Sequence, residues 1–81
     1  MTLNDAKKIA TAKLTKDNSG LRLVGYRELP DQFAFFTAVE KSSKMETGSS
    51  VLVVFKANKI CSWREISKMP DAFSTVPIID L

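Results

Sequence analysis

Apolar residues recur at Leu3, Ala6, Ile9, Ala10 and Leu14, the spacing of a single helical stripe, while Lys7, Lys8, Thr11 and Lys16 lie mostly off it. The pattern predicts an amphipathic helix at the N-terminus. Thr2, three residues before Asp5, marks its start. The hydroxyl can accept from an early backbone N–H, and the carboxylate sits at the positive end of the helix dipole. Lys13 and Lys16 suit the opposite end. Asp17-Asn18-Ser19-Gly20 stops the helix, with Gly20 suited to a positive φ.

The period then changes to strand-like alternation. Leu21 to Leu29 is rich in strand formers, with Leu21 and Leu23 on one face and Val24 and Tyr26 on the other. The apolar phase changes near Gly25, which predicts a bulge or kink there. Leu29-Pro30-Asp31-Gln32 reads as a turn. Phe33 to Glu40 follows as a second strand, with Phe33, Phe35, Thr37 and Val39 facing one way and Ala34, Phe36 and Ala38 the other. Lys41 to Ser49 is polar and reads as the longest and most mobile loop. The unbroken apolar run Val51 to Phe55, inside a strand from Ser50 to Lys56, predicts a central strand covered on both faces. Ala57-Asn58-Lys59 is a short hairpin loop in which Asn58 suits left-handed geometry. Ile60 to Ile66 returns as the fourth strand, Ile60, Ser62, Arg64 and Ile66 alternating with Cys61, Trp63 and Glu65. In the tail, Pro70-Asp71-Ala72-Phe73 suits one helical turn with Pro at its first position. The apolar Pro77-Ile78-Ile79-Asp80-Leu81 suits a segment lying against the sheet. Connections this short make the strands an antiparallel meander. The expected architecture is α+β: one N-terminal helix packed on a four-stranded antiparallel meander sheet, in two layers.

Composition narrows this picture. The 81 residues fit one domain, residues 1–81, with a thin core and little room for an internal catalytic pocket. A hydrophobic fraction of 44% with 26% charged residues is that of a folded protein. Twelve Lys and Arg against nine Asp and Glu give a formal charge of +3. The lysines are spread along the chain, whereas nucleic-acid modules cluster theirs, which argues against a nucleic-acid partner. No apolar run approaches the roughly 18–20 residues of a membrane span, and the chain opens on an amphipathic helix rather than a signal peptide. This predicts a soluble protein with no membrane partner. The single Cys61 permits no internal disulfide, which fits a reducing compartment and a cytoplasmic location.

The same inventory excludes most chemistry. There is no histidine, so the commonest metal ligand and general base are missing. Cys61 has no histidine to activate it and reads as a small core residue. Acidic spacing suits no calcium loop, and three glycines at 20, 25 and 48 make no phosphate cradle. Glu28, Asp31, Asp71 and Asp80 suit turns and caps. The expectation is a protein that is not an enzyme and has no metal and no cofactor.

Aromatic residues point elsewhere. Five Phe, one Tyr and one Trp are many for a thin core, and some must face outward unless the helix and tail cover both sides of the sheet. Tyr26, Arg22, Arg27, Trp63 and Arg64 are of the types enriched in protein interfaces. They are the candidate protein-binding residues. The same five suit a basic, aromatic strand face for single-stranded nucleic acid, although no RNP-like run accompanies them. A small ligand in the helix–sheet crevice is a third possibility. An exposed edge strand also allows two copies to pair into a homodimer.

The order of features resembles the immunity protein 35 family of small bacterial proteins. The likeness runs from the alanine-bearing helix (Asp5-Ala6 to Leu14) through the aromatic strand Phe33-Ala34-Phe35-Phe36. After a gap it resumes in the apolar strand Val51 to Lys56, turning into Ile60-Cys61-Ser62-Trp63. It spans roughly residues 3–66. This chain lacks the Gly-Trp that commonly opens the family's aromatic strand, and has Ala57-Asn58-Lys59 where the family's last hairpin carries Gly. The resemblance implies a partner protein, a toxin made by the same cell, that the chain binds and neutralises. No site residue carries over from it.

Overall fold

The computed structural model describes residues 1–39 and 50–81. Glu40, the expected end of the second strand, and the loop expected at 41–49 lie outside the described residues. The chain runs α1 (Leu3–Lys16), β1 (Leu21–Glu28), β2 (Gln32–Val39), β3 (Ser50–Phe55) and β4 (Cys61–Glu65). A 3-10 turn (Ile66–Lys68), α2 (Ala72–Thr75) and β5 (Ile79–Asp80) complete it. The strands form one antiparallel sheet in the order β4-β3-β2-β1-β5. The α+β class and the four-strand meander are as the sequence pattern predicts. The fifth strand is the tail itself, whose Asp80 and Ile79 pair with Gly25 and Tyr26.

Local chemistry sets both ends of α1. The Asp5 N–H donates to Thr2 Oγ1 at 3.3 Å, and the Thr2 N–H donates to the Asp5 carboxylate at 3.4 Å, a closed capping box. The backbone and side-chain hydrogen bonds from Thr2 hold the Asp5 carboxyl below its usual pKa. At the other end Asn18 takes φ 50°. Its N–H donates to the Thr15 carbonyl and that of Ser19 to the Leu14 carbonyl. This is the double closure of a helix by a left-handed residue. Gly20 follows at φ 67°, so two left-handed residues, not one, turn the chain into β1. At the β3–β4 turn the left-handed residue is Lys59 (φ 60°) rather than Asn58. The Asn58 side chain accepts from the Ile60 N–H and so shapes the turn without inverting its own backbone.

The sheet is buried on both faces. On one, Ala6, Ala10 and Leu14 of α1 meet Phe33, Phe35, Leu52 and Val54. On the other, Leu29, Ala34, Phe36, Val51 and Val53 are covered by Phe73, with Ile66, Met69 and Ala72 around it. The faces of Phe33, Phe35, Ala34 and Phe36 follow the alternation read from the sequence. Those of β1 do so only in part. The register slips between Leu23, opposite Thr37, and Gly25, opposite Phe36, leaving Val24 as the extra residue of a bulge. The bulge shifts the alternation by one, so Tyr26 joins Leu21 and Leu23 on the α1 face while Val24 packs on the other. Placing Val24 and Tyr26 together is thereby corrected.

The two-layer expectation is extended by the tail. Residues 66–76 cross the second sheet face, and this third, partial layer hides aromatics that would otherwise face water. Pro70 precedes the N-cap Asp71 rather than opening α2. Among the described residues no helix is long and apolar enough to cross a membrane.

Candidate functional site

The five candidate residues do not form one surface. Tyr26, Arg22 and Arg27 lie on β1, Trp63 and Arg64 on β4, and β2 and β3 stand between. At about 4.8 Å per strand, the two groups are roughly 14 Å apart. The meander order already implies this separation, because its first and fourth strands are never neighbours.

The β1 group is largely structural. The Tyr26 ring lies 6.3 Å from that of Phe33 and 6.2 Å from that of Phe35, within the α1-side core. The Arg27 guanidinium lies over the Phe73 ring at 4.6 Å and near that of Phe36 at 5.9 Å. Its Nη1 donates to the Phe73 carbonyl. Its Nε is buried with no hydrogen-bond partner among the described residues. Arg27 therefore clamps α2 to the sheet. Arg22 stands exposed opposite Ala38.

The β4 group is different. Trp63 is 38% exposed and Ile60, in the turn before it, 54%. Arg64 lies over the Phe55 ring at 5.5 Å, which fixes a flat cation beside the edge. β4 is also an outer strand, and its backbone polarity can be assigned. The Phe55 N–H donates to the Ile60 carbonyl at 2.9 Å, and the β3–β4 register is unbroken from Val54–Cys61 to Ser50–Glu65. Hydrogen-bonded pairs alternate along an antiparallel ladder. Ser62 and Arg64 thus aim their backbone groups at β3, while Cys61, Trp63 and Glu65 aim theirs outward. The sequence singled out Trp63 and Arg64 by residue type and allowed for an exposed edge strand, but it did not single out Ile60 or say which edge.

The opposite edge is blunter. β5 has two residues, follows Pro77 and carries Asp80, features that discourage further pairing. Ile78, Ile79 and Leu81 are nonetheless exposed there. Between α1 and β1 runs a rim groove of about 340 Å³ lined by Lys7, Thr11, Thr15, Leu21, Arg22, Leu23 and Leu81.

Cys61 is half-buried on the α1 face. Burial pushes its thiol pKa up, with Lys13 pulling it down and Asp17 pushing it up by smaller amounts. A raised thiol pKa disfavours the thiolate that nucleophilic chemistry requires. Among the described residues no three His, Cys, Asp or Glu side chains are grouped to hold a metal ion. No family model matches this chain, and no curated protein or solved structure matches it.

Proposed function

We propose that this is a small, non-catalytic protein-binding module, and that β4 with the turn before it is its docking surface. The observation that carries the reading is Trp63. It is the chain's one tryptophan, and it stands exposed on an outer strand with its backbone groups aimed away from the sheet. Exposed Trp beside Arg is the composition of binding hot spots, and an open edge adds main-chain hydrogen bonds to a partner's strand. Ile60 extends the apolar area, and Arg64 supplies a held cation at its margin. In its most concrete form the module is an immunity-type inhibitor that occludes a toxin of the same cell, as the resemblance to the immunity protein 35 family implies.

A nucleic-acid-binding or host-modulating role on a basic, aromatic strand face is the alternative. It is less well supported. Phe33, Phe35 and Phe36, the sheet aromatics on which bases would stack, are buried under α1 and the tail. Arg27 is engaged with Phe73.

The test is capture from a lysate of the source organism, with and without nuclease, at moderate and high salt. The bait is wild-type protein or a Trp63→Ala/Arg64→Ala pair of unchanged circular dichroism. A protein partner kept by the wild type at both salts and lost by the variant is the expected result. Equal capture by both baits removes β4 as the site. Capture that disappears with nuclease or salt transfers the function to nucleic acid.

A further inference from the structure

We infer that β4 pairs with β4 of a second copy, antiparallel, about a two-fold axis normal to the sheet and centred on Trp63. The result is a closed dimer with one continuous sheet built from both sets of five strands. This does not depend on the partner reading; it needs only the edge.

Geometry limits the ways two copies of β4 can meet. In an antiparallel pair, residues directly opposite share a face. Two identical strands meet this condition only when the two-fold axis is normal to the sheet and passes beside one residue. A Trp63 centre sets Trp63 against Trp63, Cys61 against Glu65, and Ser62 against Arg64. The outward groups of Cys61, Trp63 and Glu65 then meet outward groups in three hydrogen-bonded pairs, about six backbone bonds. No like charges face each other. Aromatic pairs directly across strands are also among the favourable ones.

The neighbouring registers are poorer. A Ser62 centre sets Glu65 against Lys59, but Lys59 is at φ 60° and off the extended line, so the outer pairs are lost. An Arg64 centre sets Arg64 against Arg64, and like charges directly opposite are destabilising. β4 also has no proline and no bulge to block pairing, unlike the β5 edge. Since that other edge is blunted, association stops at two.

Five residues a side make a small interface, so a weak dimer is expected, with Kd on the order of micromolar to millimolar. Each copy carries +3, so added salt screens the repulsion and strengthens the dimer.

Sedimentation equilibrium from about 10 μM to 1 mM, a range set by that expected affinity, is the primary test. It is expected to show a reversible monomer–dimer equilibrium favoured by salt, with Trp63 emission moving to shorter wavelength as dimer forms. Two substitutions at one position separate backbone from side chain. Glu65 has φ −71°, which suits proline, and its N–H points away from β3. Glu65→Pro therefore removes an outward donor while sparing the fold, whereas Glu65→Ala removes only the carboxylate. The proline variant is expected to dimerise about tenfold or more weakly than the alanine variant. The register has its own readout. A Trp63 centre offsets the two Cys61 residues by four positions, roughly 13 Å. A bis-maleimide of that reach should link them, and an oxidant should not. A monomer at every concentration, equal dimerisation of the two Glu65 variants, or ready Cys61–Cys61 disulfide formation would each overturn the inference.

Discussion

Arg27 shows how one side chain decides what this surface can do. It has the chemistry of an interface residue, and its sequence context gives no sign that it is engaged. The structure spends it on holding α2: one hydrogen bond to the Phe73 carbonyl and a stacked contact on the Phe73 ring. An Arg27→Ala/Phe73→Ala double-mutant cycle, followed by urea denaturation, is expected to give a coupling of about 0.5–2 kcal/mol. Additive losses would mean that the ring contact contributes nothing, since Phe73→Ala keeps the carbonyl that accepts from Arg27. Two titrating residues make further statements. Asp5 has a lowered pKa, so its contribution is present above the ordinary carboxylate range and lost as pH falls through the folded value. Helix content is therefore expected to fall only as pH drops below the ordinary carboxylate value, and Asp5→Asn to blunt that fall in a circular dichroism titration. Cys61 has a raised pKa, so the folded state holds its proton longer than the unfolded one. Stability is expected to decline as pH rises past the unfolded thiol's value, and Cys61→Ala to remove that decline in thermal melts. A decline that persists in Cys61→Ala would assign it to other groups.

At the scale of elements, legibility followed length and regularity. α1 and β1 to β4 each carry enough residues for a period to show, and the Thr2–Asp5 box and the Gly25 bulge have local signatures. The bulge was legible as a place but not in its consequence. Shifting the alternation by one moves Tyr26 into the α1-side core, which only the pairing with β2 reveals. α2 has four residues and β5 two, too few for either period, and their stability comes from what they touch. Phe73, 5% exposed, is the anchor of that tail. Phe73→Ala uncovers Phe36 and is expected to cost about 3–5 kcal/mol. It should also raise binding of a hydrophobic dye while leaving α1 intact. A cost under about 1 kcal/mol, the range of a surface change, would mean that the tail is not part of the core.

On the scale of the molecule, the sheet divides the labour. Its two faces are filled, one by α1 and one by the tail, so the aromatic surplus noted in the sequence is mostly consumed as core. Among the described residues, what remains outside is edge: a blunt one at β5 and an open one at β4. Trp63 and Arg64 were legible as candidates because their residue types are informative. Their separation from Arg22, Arg27 and Tyr26 is a property of strand order, which residue type does not encode. A partner strand and a second copy would compete for the same backbone groups. Both roles therefore rest on the β4 edge, and residue-resolved amide hydrogen exchange by NMR reads its state. In dilute protein, the Cys61, Trp63 and Glu65 amides are expected to exchange fast, while Ser62 and Arg64 between them are slow, held by β3. Raising the concentration, or adding a captured partner, should slow the fast set alone. Slow exchange of Cys61, Trp63 and Glu65 in the dilute monomer would show that the edge is already covered, and would contradict the account.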